Sequence, residues 1–229
     1  SWITKTLEEL NENNNVKGVI FEINSPGGSG VASDEIARAI KDLDKPTVSY
    51  IREVGASGSY WVASATDYIY ANRMSTVGSI GVIASYLDFS DFIEDYNVSY
   101  QRFVAGENKD FGSPFREATD SEEDRFQEHL DELHTIFINE VAANRGLEQE
   151  YVRGLADGFI YTGSKAKNLQ LIDDIGGYDE AVTYLENQLG RDVNVYEVQR
   201  RPTFSELFGG FLVTGFEHAG YGFGESLME

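Results

Sequence analysis

Val16-Lys17-Gly18-Val19-Ile20-Phe21-Glu22-Ile23-Asn24-Ser25-Pro26-Gly27-Gly28-Ser29-Gly30 is the stretch on which the reading of the whole chain turns. Its first half is rich in the β-branched and aromatic residues that favour strands, and its second half is a glycine turn with a proline in it. Ile36, Ala37, Ile40 and Leu43 then recur at helical spacing. Strand, glycine turn and helix in that order are what a parallel sheet covered by helices requires.

The alternation continues downstream. Residues 47–51 read as a second strand, 58–65 as a short helix of small residues and 68–71 as a third strand. Residues 76–82 are apolar and punctuated by glycine. An acidic helix is expected at 89–96, a strand at 99–103 and a long helix at 120–144. That helix should bury Phe126, Leu130, Leu133, Ile136, Phe137 and Val141 and turn its charges to water. A helix near 151–155, a strand at 159–161, a helix capped by Thr162 and a last helix at 178–189 complete the pattern, and residues 2–10 have the spacing of an amphipathic helix. No repeat and no linker divides the chain. Residues 1–199 are expected to form one α/β domain with a mostly parallel sheet, and 200–229 a Phe- and Gly-rich tail without periodicity.

Composition narrows the chemistry. The 229 residues carry 39 Asp and Glu against 18 Lys and Arg, a formal net charge of −21. The broad field of such a chain repels phosphate backbones, so nucleic acid is not an expected partner. The absence of cysteine removes disulfides, thiolate catalysis and Cys-ligated metals. Three histidines remain; His129 and His134 stand on different faces of a helical stretch and His218 lies in the tail, so no metal site is expected. No run reaches the roughly 18 apolar residues of a membrane span.

Two glycine-rich elements could cradle a negative oxygen. Ser25-Pro26-Gly27-Gly28-Ser29-Gly30 leads from a strand into a helix but lacks the G-x-G-x-x-G spacing of a dinucleotide site and the Gly-Lys-Ser/Thr of a phosphate loop. It reads as a tight turn or as an oxyanion hole. Gly55-Ala56-Ser57-Gly58-Ser59-Tyr60 also follows a strand, and places Ser57 where a strand-to-helix turn would present its hydroxyl with the Gly58 N–H beside it. By spacing alone this is a weak signal, because small residues also occur wherever a helix packs closely on a sheet, and the missing G-x-S-x-G disfavours an α/β-hydrolase triad. A nucleophilic serine needs a base, and the histidines are poorly placed. A lysine serves if its pKa falls by about three units from about 10.4, roughly 4 kcal/mol, which burial can supply. Lys109 lies in the turn-rich run Ala105-Gly106-Glu107-Asn108-Lys109-Asp110-Phe111-Gly112-Ser113-Pro114-Phe115, where it is either such a base or a plain surface lysine.

Taken together, four blocks resemble the ordered motifs of the signal peptide peptidase A (protease IV) family. They are Ser25-Pro26-Gly27-Gly28; Ala56-Ser57-Gly58-Ser59-Tyr60-Trp61-Val62-Ala63-Ser64; Thr76-Val77-Gly78-Ser79-Ile80-Gly81-Val82; and Lys109-Asp110-Phe111-Gly112-Ser113-Pro114-Phe115-Arg116. The resemblance covers residues 16–177, and the length matches single-repeat members. It implies a crotonase- or Clp-protease-like fold, a self-compartmentalising ring and a Ser–Lys dyad that needs neither cofactor nor metal. It further implies an anchor upstream of this chain in the cell membrane, with the protease domain on the extracytoplasmic side, and peptide substrates such as signal peptide remnants. By resemblance Ser57 is the nucleophile, Lys109 the general base, Ser79 the partner of the lysine amine, and Gly28 and Gly58 the backbone oxyanion donors; in single-repeat members serine and lysine come from neighbouring subunits. This chain has Ser59 where the family commonly has glycine, which bears on the width of the pocket. Two other readings are a crotonase-type acyl-CoA enzyme, which has no need of Ser57 and Lys109 together, and an inactive scaffold ring, against which the intact Ser57, Ser79 and Lys109 argue.

Overall fold

The computed structural model describes residues 1–199. Fourteen elements follow one another in the order α1 (Trp2–Glu12), β1 (Val19–Ser25), α2 (Gly30–Lys41), β2 (Thr47–Ala56), α3 (Gly58–Ser64), β3 (Tyr68–Ala71), β4 (Thr76–Gly78), α4 (Ser90–Asp95), α5 (Asp120–Arg145), α6 (Gln149–Arg153), β5 (Ile160–Thr162), α7 (Gly163–Asn168), β6 (Asp174–Ile175) and α8 (Tyr178–Leu189). Ile3–Val193 belong to one compact unit; residues 194–199 are not part of it and have no regular secondary structure. The expected tail from 200 onward lies outside the described residues.

β2 is the hub of the six-stranded sheet. It pairs in parallel with β1 on one edge and with β3 and then β4 along the other, and β6 extends the sheet beyond β3; only β5 runs antiparallel, against β4. This is the mostly parallel, helix-flanked α/β sheet that the sequence led us to expect. Side chains alternate across it with the period of two that a pleated strand imposes. Phe21, Ile23, Ile51, Ile69 and Ala71 face a large core built with α3, α5, α6 and α7. Ile20, Val48, Tyr50, Tyr68 and Tyr70 face the opposite side, where Ala181 and Leu185 of α8 cover them. Full burial of a residue such as Ile51 on one face or Val48 on the other is worth about 1.5–3 kcal/mol, so both faces contribute to holding β2 in place.

Two expectations need correction. No strand forms over 99–103; these residues are exposed and without a sheet partner, and an isolated strand leaves its backbone groups unpaired by any neighbour. In α5 the buried side chains are Glu122, Phe137, Ile138, Val141 and Ala142, whereas Leu133 and Ile136 are exposed. The C-terminal half of α5 lies on the core, with Phe137 stacked on Trp61 at 5.0 Å, while in its N-terminal half Phe126 packs on Phe111. Both ends of α5 are written in the sequence: Thr119 and Glu122 form a capping box, and Gly146 takes the left-handed conformation at the C-cap.

Candidate active site

Three strands end at the same place. Ser25 of β1 pairs with Gly55 of β2, and Ala56 of β2 pairs with Gly78 of β4. The glycine turn, Ser57 and Ser79 therefore all leave the sheet at the carboxyl ends of adjacent parallel strands, where open α/β sheets place their ligands.

Ser57 occupies the single residue between β2 and α3. Its backbone has φ 53° and ψ −130°, a conformation that costs a non-glycine residue about 1–3 kcal/mol and is held only by its surroundings. Those surroundings are explicit. The Ser57 N–H donates to the Gly78 carbonyl at 2.8 Å, and the Ser57 carbonyl accepts from Tyr60 and Trp61 at 2.9 and 3.1 Å. Behind the turn the Tyr60 hydroxyl, fully buried, donates to the Leu171 carbonyl at 2.7 Å, which pins the start of α3 to the core. Half-buried Ser57 is thus a serine on a sharp strand-to-helix turn, as sequence alone suggested.

The glycine turn lies directly against it. Gly27 has φ +108°, and a Cβ there would sit 2.8 Å from the Ala56 carbonyl oxygen, the Gly58 nitrogen and the Ser57 Cβ. Only glycine permits that approach. At Gly58 a Cβ would meet the Ser33 Oγ at 2.3 Å and come within 3.5 Å of the Gly28 nitrogen. The two expected oxyanion donors, Gly28 and Gly58, are therefore neighbours. Gly58 also opens a helix, whose first N–H groups have no partner within the helix and favour developing negative charge. Ser79 follows Gly78 on the next strand end; both have positive φ, 52° at Ser79 and 103° at Gly78, and the Ser79 N–H donates to the Phe159 carbonyl at 2.8 Å. Ser59, the departure noted in the sequence, directs its hydroxyl at the carbonyls of Ser25 and Ala56, at 2.6 and 2.8 Å.

Lys109 is exposed and is not hydrogen-bonded to this cluster. Residues 82–109 are exposed throughout except for Ser90 and Ile93, and Lys109 lies in a turn whose N–H donates to the Gly106 carbonyl at 3.1 Å. Among the described residues its amine makes no hydrogen bond or ion pair, with Ser57 or with any other group. What the sequence reading missed is how this arm is tethered. Asp110 accepts from Arg102 at 2.7 and 2.8 Å and from Arg116 at 2.9 and 3.0 Å, and Arg116 reaches on to the buried Glu122 at the start of α5, at 2.6 and 2.9 Å. Arg102 and then Arg116 hold the Asp110 carboxyl well below the usual carboxylate range, and the Arg116 bond, followed by the Thr119 N–H, brings Glu122 down to about 2. Arg116 closes the same motif block as Lys109, and the Thr119-x-x-Glu122 capping box follows three residues later; those were the available signals. A cavity of about 700 Å³ at the start of α8 is lined by Glu22, Arg52, Arg73 and Glu180 among others but by none of Gly28, Ser57, Gly58 and Ser79, and its mixed charges select no ligand.

Comparison with known proteins accords with this arrangement. The model of peptidase family S49 matches residues 39–192. A candidate protease of Methanocaldococcus jannaschii is 36% identical over 225 residues, 97% of this chain and 71% of that protein. A candidate signal peptide peptidase of Enterococcus faecium is 37% identical over 185 residues, 80% of this chain and 54% of that protein. A chloroplastic serine protease of Arabidopsis thaliana is 27% identical over 208 residues, 88% of this chain and 31% of that protein, so the last two extend well beyond the part they share with it.

Proposed function

The chain belongs to peptidase family S49, and from that premise we propose that it is a serine endopeptidase working through Ser57 and Lys109. The observation that carries the reading is the strained turn at Ser57, held between the Gly27-Gly28 turn and Gly78 at the ends of three strands. In this reading the neutral Lys109 amine, held by Ser79, takes the Ser57 proton. The alkoxide attacks a peptide carbonyl, and the N–H groups of Gly28 and Gly58 receive the negative charge of the tetrahedral intermediate. Lys109 then returns the proton to the leaving amine.

A base of this kind works only when it is shielded from water, and in the single chain Lys109 is exposed. A second copy of the chain is the natural source of the missing cover. Ile83, Leu87, Phe92, Tyr96 and Phe103 on the same arm are each more than half exposed, more apolar surface than a monomer keeps in water. We therefore place the working site between neighbouring subunits of a ring, the arm of one laid against the Ser57 of the next. The substrates of this reading are extended apolar peptides with a small or medium side chain at the cleavage position, signal peptide remnants among them, met at the extracytoplasmic face of the cell membrane. No helix among the described residues is long and apolar enough to cross a membrane, so the anchoring belongs to the reading and not to these elements.

Treatment with a serine-reactive fluorophosphonate, with the adduct located by mass spectrometry, tests it. A single adduct at Ser57 that is absent from a Lys109→Ala chain is the expected result. Labelling elsewhere, or at Ser57 independently of Lys109, would withdraw the dyad.

A further inference from the structure

Within the peptidase reading, on which this inference rests, we infer that Ser59 is a positioning residue that locks the two halves of the oxyanion hole to each other. The halves come from different strands. Gly28 follows β1 and Gly58 follows β2, and the segments carrying them meet through bare glycine backbone, with a would-be Gly27 Cβ 2.8 Å from the Gly58 nitrogen. Such a contact excludes side chains but does not by itself fix how one segment slides past the other. The Ser59 hydroxyl supplies that restraint. It lies 2.6 Å from the Ser25 carbonyl, three residues before Gly28, and 2.8 Å from the Ala56 carbonyl, two residues before Gly58. Its one proton is shared between carbonyls that belong to the two segments, and Ser59 is itself buried.

Strand pairing joins the two segments near the hole at a single place, the Ser25–Gly55 pair. The β1–β2 register is regular from Val19 to Ile23 and then shifts before Ser25, so the ladder is irregular where the donors must be aligned. A hydroxyl that ties Ser25 to Ala56 lies directly beyond that shift. Ser33 supports the same corner from below, its hydroxyl donating to the Ser29 carbonyl at 3.0 Å and lying against Gly58, but its hydrogen bond stays on the α2 side of the turn and does not bridge to Ala56. The Val54 N–H donates to Asn24 Oδ1 at 3.2 Å on the strand side of the shift, and Ser59 is the side chain that joins the two segments on the turn side, next to the hole. Its hydroxyl is bonded to the Ser25 and Ala56 carbonyls and not to Ser57, so it acts through where the two N–H groups sit. Displacements below an ångström matter there, because donors must be in place for the oxyanion and not for the ground-state carbonyl.

The test is the series Ser59→Cys, Ser59→Ala and Ser59→Gly in the full chain, read by steady-state kinetics on an apolar peptide, by inhibition with a peptide boronate that mimics the tetrahedral intermediate, and by thermal melting. Ser59→Ala should lower kcat roughly ten- to a hundredfold with KM within about twofold. Its boronate affinity should fall by the same factor as kcat/KM, since both depend on the aligned donors. Ser59→Cys, a weaker donor, should fall between wild type and Ser59→Ala, and Ser59→Gly should match Ser59→Ala. Loss of melting temperature in Ser59→Ala with kcat and boronate affinity unchanged would make Ser59 structural only and overturn the inference, as would a rise in KM alone. The fluorophosphonate adduct on wild-type Ser57 separates the levels: if wild type labels and Ser59→Ala labels equally fast, the Ser59 role falls and the peptidase stands, whereas a wild type that never labels at Ser57 brings down both.

Discussion

The amide of Ser57 is bonded to the carbonyl of Gly78 at 2.8 Å, and the residue after Gly78 is Ser79. One hydrogen bond thus couples the turn that presents the proposed nucleophile to the strand end that presents the serine proposed to hold the lysine. Gly78 can aim its carbonyl in this direction because its own backbone is at φ +103°, and Ser79 continues in the left-handed region at φ 52°. Two adjacent residues with positive φ, one of them not glycine, form a costly corner, and here the cost falls beside a second strained residue, Ser57. The strain of the two turns is concentrated at the candidate site.

Gly78→Ala should therefore affect activity more than stability. A Cβ at Gly78 would approach the Tyr161 ring at 3.0 Å, a contact a small ring shift relieves, so the expected destabilisation is that of the positive φ, about 1–3 kcal/mol by denaturant melts. Peptide hydrolysis should fall by a larger factor than the folded fraction does. Activity that tracks the folded fraction would mean that the Ser57–Gly78 bond does not set the nucleophile.

Much of this corner could be read from sequence because its features are local. Strands and helices over 19–81 alternate with clear periodicity, and glycine at 27, 58 and 78 signals backbone that must turn or approach closely. The expectation failed where the determinant is a partner rather than a pattern. Residues 99–103 have strand-like composition but no neighbouring strand, and Leu133 and Ile136 have core-like spacing on a helix whose N-terminal half stands away from the main core. β6, two residues long, carries no periodic signal; it is defined by pairing with β3. Lys109 belongs to the same class: its sequence neighbours set it in a turn, and what faces it in a working site is not specified by the residues around it.

Gly58 offers a sharper test of close packing. Gly58→Ala drives a Cβ to 2.3 Å from the Ser33 Oγ, and the hydroxyl cannot withdraw without giving up the Ser29 carbonyl. Overpacking of this kind costs about 1–3 kcal/mol. Ser33→Ala alone should cost about 0.5–1.5 kcal/mol for its hydrogen bond. In the double variant the Oγ is gone and the new methyl meets the Cβ at position 33 at 3.3 Å and the Gly28 nitrogen at 3.5 Å, so the two changes should be less damaging together than their sum. Strict additivity in urea melts would show that the clash is relieved by backbone movement and not by Ser33.

Complementation tests where the dyad forms. Ser57→Ala and Lys109→Ala chains are each expected to be inactive, and a mixed assembly of the two should regain activity at the sites that pair an intact serine with an intact lysine. With random mixing of equal amounts, about a quarter of cross-subunit sites are intact in this way. Mass spectrometry of isotopically distinct chains verifies exchange. Mixed rings with verified exchange and no recovered hydrolysis would place serine and lysine in one chain.

The Arg102–Asp110–Arg116–Glu122 network predicts how the arm responds to acid. Asp110 and Glu122 both have folded-state pKa values below their ordinary 3.8 and 4.5, Glu122 at about 2. Their contribution is therefore complete above those ordinary values and is lost as pH falls toward about 2, because the unfolded arm takes up protons that the tethered arm refuses. Hydrogen exchange should show the amides of 102–118 losing protection through this window while the core amides of β2 and β3 keep theirs. Arg116→Met, which retains the stem and removes the fork, should expose the same amides already at pH 7, remove the acid dependence and lower hydrolysis through the misplaced Lys109. Unchanged protection in Arg116→Met at pH 7 would show that the aromatic contacts of Phe111 with Tyr86 and Phe126 hold the arm without the ion pairs.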